Sequence, residues 1–165
     1  LSGQVRLISS GFRIFVPTTD GTESLAGAFE VFGKIDSDFV NLGNDVASLP
    51  ARETEVEVYE LVRDGHLLQI YRNLGERLDE LCLTQHQIKL FVSIQKSSSM
   101  NWLRARECPT FFLYSVGGEH FVAIVYLHED GTVDVYNCEI RCEFVWPQST
   151  RARLIIPARK RNEDR

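Results

Sequence analysis

The chain has 165 residues, 44% apolar, 10% aromatic and 25% charged, with a formal net charge of −5. That is enough for one domain with a sizeable core, and it excludes collagen, coiled coil and wholesale disorder. No apolar run approaches the ~18 residues of a membrane span, so a soluble, cytoplasmic protein without membrane contact is expected.

Charge is unevenly placed. Residues 151–165 hold six basic and two acidic side chains, which leaves 12 basic against 21 acidic, or −9, for residues 1–150. An acidic body repels phosphate and argues against duplex nucleic-acid binding. The expected organisation is one α+β domain over residues 1–157 and a basic, solvated tail over 158–165, since Ala158 is the last apolar residue. The chain opens on Leu1-Ser-Gly-Gln, which has no basic-then-apolar signal pattern.

Residues 4–17 read as two strands interrupted at Gly11 and stopped by Pro17. Ser24 is positioned to cap a short helix over 25–32, weakened by Gly27. Residues 33–51 are rich in Asp, Asn, Gly and Ser, with Phe39, Val40, Leu42, Val46 and Leu49 as scattered apolar anchors. A stretch that long without a period is either an ordered excursion or functional. Thr54 to Val62 alternates acidic and apolar residues as a half-exposed strand does, and His66 to Leu74 carries helical spacing. Thr84-Gln-His-Gln87 is a capping box, opening a helix to about Lys96 with Ile88, Phe91, Val92 and Ile94 on its apolar face and Ser97 to Ser99 closing it.

The C-terminal third predicts a meander. Strands over 110–116 and 119–127 flank Gly117-Gly118, a pair suited to a primed turn, and a third strand over 132–140 follows a four-residue turn at 128–131. Phe144 to Trp146 and Arg153 to Ile156 suggest further strands. The fold class is therefore α+β, an antiparallel sheet with a C-terminal meander of three to five strands packed by one or two helices.

These turn lengths set a register, in which Phe111, Ile124 and Val135 share one rung and Ser115, His120 and Glu139 another. Ser, His and a carboxylate are the parts of a hydrolase triad, so Ser115, His120 and Glu139 are the candidate catalytic residues. A serine in a regular strand lacks the strained elbow and paired backbone N–H groups that stabilise an oxyanion, which weighs against catalysis. The same register places Phe112, Tyr114, Phe121 and Tyr136 on one face, an arrangement that serves either as a core or as a platform for single-stranded bases.

The four cysteines, Cys82, Cys108, Cys138 and Cys142, lack a CxxC spacing, and within one strand Cys138 and Cys142 stand too far apart to bridge without a turn. They read as reduced core thiols, and no metal or cofactor is expected; His120, His128, Cys138 and Glu139 have no paired ligand spacing. Standard nucleotide-loop and serine-hydrolase signatures are absent from the sequence.

The segment from His120 to Tyr126, followed by Val135-Tyr-Asn137, resembles the His-strand and Asn-strand layout of papain-like and SUMO-protease-like thiol hydrolases. In those families the nucleophilic Cys opens a helix. Here Cys108 precedes Pro109 and a strand, and Cys82 precedes the helix cap by two residues, so neither matches. Ile35-Asp-Ser-Asp-Phe-Val-Asn41, Leu81-Cys-Leu-Thr-Gln85, Trp102-Leu-Arg, Thr110-Phe-Phe-Leu, Gly118-Glu-His-Phe-Val-Ala123 and Arg153-Leu-Ile-Ile-Pro157 resemble short uncharacterised bacterial proteins across about residues 15–157. That resemblance implies a bacterial or phage-derived protein, and no activity carries over from it. The expected role is a non-enzymatic domain acting through a protein partner or self-association. The alternatives are a small hydrolase or nuclease using His120 and a single-strand binder using sheet aromatics.

Overall fold

Gly117 and Gly118 adopt φ of +59° and +82°, as the primed turn requires. They set the hairpin between β5 (Thr110–Val116) and β6 (Glu119–Leu127) in the expected register, with Ile124 opposite Phe111 and His120 opposite Ser115. A computed structural model describes residues 3–98, 101–103 and 108–159. The elements before this hairpin are β1 (Val5–Leu7), β2 (Ile14–Val16), β3 (Lys34–Ile35), α1 (Asp38–Asn41), β4 (Thr54–Leu61), α2 (Leu67–Leu74) and α3 (Gln85–Lys96). After it come β7 (Val133–Glu139) and β8 (Arg153–Pro157).

The protein is α+β, with one eight-stranded sheet in the order β1-β4-β8-β5-β6-β7-β3 and β2 also on β4. The sheet is mixed, not purely antiparallel: β8 runs parallel to β5 and β3 parallel to β7. The run Leu154-Ile-Ile156 explains the placement of β8. It is apolar on both faces, and between β4 and β5 all three side chains are buried.

Both faces of the sheet are covered. On one, Phe112, Tyr114, Ala123 and Val135 pack with Ile88, Phe91 and Val92 of α3 and with Leu25, Phe32 and Phe39. On the other, Phe111, Leu113, Val122 and Leu154 pack with Leu67, Ile70 and Leu74 of α2 and with Ile140. The capping box forms as expected: Gln87 N–H donates to Thr84 Oγ1 at 3.1 Å, and Thr84 N–H donates to Gln87 Oε1 at 2.9 Å. Ile94, assigned to the buried face of that helix, is exposed.

Three local expectations are corrected. Residues 25–32 form successive turns, not a helix, with Ala28 N–H donating to Leu25 O at 3.2 Å and Leu25 N–H to Gln85 Oε1 at 3.0 Å. Trp146 forms one isolated bridge to Gly65, not a strand with Phe144 and Val145. The third correction is a register shift. Gly131 has φ +88° and its N–H donates to His128 O, while His128 N–H donates to Thr132 O. The loop is therefore Glu129 to Gly131, a turn followed by a left-handed bulge residue, and Leu127 pairs with Val133. Ile124 consequently faces Tyr136, not Val135. Ser99 and tail residues 160–165 lie outside the described residues, whereas Ala158 N–H and Arg159 N–H are tied to Glu55 O and Glu57 Oε1 of β4.

Candidate functional site

The one-residue shift in β7 separates the expected Ser, His and Glu. Ser115 and His120 remain opposed, but Glu139 pairs with Phe121 and so projects from the other face, while Ile140 N–H donates to His120 O. Asn137 also lies on that other face, opposite Ala123, where it accepts a bond from Tyr114. The Asn-strand layout of the thiol hydrolases is therefore not assembled around His120.

A different set of residues meets His120. Leu78 to Leu81 form a 3-10 turn, in which side chains three apart eclipse, so Asp79 and Cys82 project to one side. The turn is held against β5 by a parallel bridge between Cys82 and Leu113 and by the bond from Leu83 N–H to Leu113 O at 2.9 Å. That position lies beside Ser115 and His120. Asp79 Oδ1 is 2.7 Å from His120 Nε2, and a carboxylate oxygen of Asp79, Cys82 Sγ and a ring nitrogen of His120 all lie within 4.8 Å of one another.

The Cys82 thiol donates to Leu78 O at 3.4 Å and has Ser115 as a further hydrogen-bond partner. Burial, then the neighbouring Asp79 charge, pushes its pKa up to about 12. A thiol held protonated in this way is a poor resting nucleophile. The Asp79-x-x-Cys82 spacing is visible in the sequence, but its meeting with His120 depends on long-range packing of the turn beside β5.

Cys138 and Cys142, too far apart to meet within one strand, are brought together by an intervening turn in which Cys142 N–H donates to Glu139 O at 3.0 Å, and their side chains share a hydrogen bond. Of the two uses open to the sheet aromatics, three serve as core, and the register shift moves the fourth away. Phe112, Tyr114 and Phe121 are core residues, and Tyr136 lies on the opposite face against Tyr126, with ring centroids 5.8 Å apart.

Residues 33–51 form an excursion pinned at several points. Asn44 Nδ2 donates to Tyr114 Oη at 3.0 Å, and Tyr114 O–H donates to Asn137 Oδ1 at 2.5 Å. Gln85 Nε2 donates to Asn44 O at 2.8 Å, Ser48 N–H donates to Gly21 O at 2.9 Å, and Thr19 and Ala51 exchange backbone bonds. This anchored segment nevertheless exposes four large apolar side chains, Val40 (57%), Leu42 (44%), Val46 (42%) and Leu49 (81%).

No family model matches the chain, and no curated protein or solved structure matches it. Among the described residues, no helix is long and apolar enough to cross a membrane.

Proposed function

We propose that the chain is a non-enzymatic protein-binding domain whose contact surface is the excursion over residues 33–51. The observation that carries this reading is the combination of anchoring and exposure. Within ten residues, Val40, Leu42, Val46 and Leu49 present apolar surface on a backbone fixed by Tyr114, Gln85 and Gly21. Single exposed apolar residues are ordinary, whereas four on one anchored segment offer apolar surface to a partner. Prior ordering also reduces the conformational entropy lost on association.

A photo-crosslinking amino acid at position 49, introduced in cells producing the full chain, tests this. The reading expects a discrete adduct whose mass distinguishes self-association from another partner. The adduct should be lost in a Leu42→Asp/Val46→Asp variant and absent when the crosslinker replaces exposed Phe144. No adduct at 49 in excess of that at 144 overturns it.

A second reading, a small hydrolase using His120, is favoured by the Asp79–His120 contact, because a carboxylate on an imidazole orients it for proton transfer. Loss of 10²-fold or more of a hydrolytic activity in folded His120→Ala would support it on the scale of general-base catalysis. An unchanged rate would overturn it.

A further inference from the structure

We propose that Asp79, Cys82 and His120 form a mononuclear site for a thiophilic divalent cation of the zinc type. The proposal shares no residue with the contact surface over 33–51 and does not rest on it.

Geometry comes first. Donor atoms bound to tetrahedral zinc at 2.0–2.3 Å stand about 3.3–3.8 Å apart. The carboxylate oxygen, thiol sulfur and imidazole nitrogen are already mutually within 4.8 Å, so modest side-chain rotation closes them around one ion. The two elements supplying them are fixed independently of any ion. The 3-10 turn is locked to β5 through Leu113, and His120 sits in the paired β5–β6 hairpin. The site is also open to entry. The Asp79 side chain is 83% exposed and that of His120 17%, while Cys82 forms the sheltered floor.

The donor set then selects the ion. One sulfur, one nitrogen and one oxygen suit zinc, cobalt or similar cations, whereas magnesium and calcium take oxygen shells. Three protein donors leave a fourth position for water or a ligand. Ser115, hydrogen-bonded to the Cys82 sulfur, supplies an outer partner of the kind that orients metal ligands. Binding releases the Cys82 thiol proton to solvent, since the thiolate is the form that ligates such ions.

The test uses the full chain, stripped with chelator and kept reduced, titrated with Co²⁺ and with Zn²⁺. The expected result is one equivalent of Co²⁺ bound with a sulfur-to-cobalt charge-transfer band, displaced by Zn²⁺. Cys82→Ser should abolish the band, and Asp79→Asn and His120→Gln should each weaken binding about ten-fold or more, the scale seen when even outer partners of a metal are removed. Asp79 is exposed, so Asp79→Asn keeps the test valid if Cys82→Ser or His120→Gln fails to fold. The Cys138/Cys142 pair is the competing thiol set. A Cys138→Ser/Cys142→Ser variant should retain the band. No saturable binding, loss of the band in that double variant, or unchanged binding in Asp79→Asn and His120→Gln overturns the proposal.

Discussion

Gly21 lies beneath Ser48 so closely that a Cβ added to it would fall 2.3 Å from the Ser48 carbonyl oxygen. Its φ of +79° is also one that side chains strain to adopt. Ser48 N–H donates to Gly21 O, so this contact is one of the anchors of the excursion over residues 33–51. Gly21→Ala is expected to destabilise the protein by roughly 2–4 kcal/mol, combining the left-handed backbone with displacement of a packed carbonyl. Denaturant unfolding measures the loss. Hydrogen exchange should show it concentrated at residues 44–51, and a variant as stable as the parent would mean that this anchor is dispensable.

Tyr114 is the buried end of the same anchoring. Its hydroxyl accepts from Asn44 Nδ2 and donates to Asn137 Oδ1, linking the excursion to β5 and β7. Tyr114→Phe keeps the ring stacked on Phe121 but leaves both amides short of a partner, which costs about 1–3 kcal/mol when such groups are buried. The expected signature is faster exchange at Asn44 with little change at the β5–β6 hairpin. Uniform acceleration over the whole sheet would show that the network stabilises the core, not the excursion.

The meander register rests on Gly131. Its φ is +88°, and no atom lies within 4 Å of where a Cβ would stand, so Gly131→Ala suffers backbone strain alone. That strain costs about 1–2 kcal/mol. The same register sets Ile124 directly against Tyr136. A double-mutant cycle on Ile124→Val and Tyr136→Leu should therefore give a coupling of roughly 0.2–1 kcal/mol, with none between positions 124 and 135. Coupling to 135 instead would restore the unshifted register.

What was legible in the sequence was local. The Gly117-Gly118 turn, the Thr84–Gln87 capping box and the alternation of β4 each depend on neighbours along the chain, and each formed. Two of the failures involve partners far away. Leu25, Val31 and Phe32 are buried against α3 and the sheet in turns, not a helix, and β8 was visible as a strand but not as a parallel neighbour of β5. At 128–132 the information was present in Gly131. An ordinary four-residue loop would set Glu139 beside His120, whereas the bulge at Gly131 shifts β7 by one residue and turns Glu139 away. His120 was identifiable as a candidate. Asp79 and Cys82 were not, because only the packing of a 3-10 turn against Leu113 brings them to it.

Tyr71 offers a prediction with two readouts. It is fully buried on α2, and its hydroxyl has no hydrogen-bond partner among the described residues. A buried hydroxyl without a partner costs roughly 1–3 kcal/mol on mutational scales, so Tyr71→Phe is expected to be neutral or stabilising at pH 7, by up to about 1–2 kcal/mol. Burial, followed by the nearby Cys82, holds the Tyr71 phenol well above its ordinary range. An acid whose pKa is raised on folding favours the folded state only while it is protonated in both states. The unfolded chain ionises first, near the ordinary tyrosine value of about 10, and stability falls as pH rises from there toward the folded-state value. The parent should thus lose thermal stability steeply above about pH 10. Tyr71→Phe should show a shallower decline, since Tyr114 and Cys138, also raised by burial, remain to titrate. Thermal melts at intervals from neutral to strongly alkaline pH measure both effects. A variant less stable than the parent at neutral pH, or one with the parent's alkaline slope, would show that the Tyr71 hydroxyl is stabilised by interactions that burial alone does not describe.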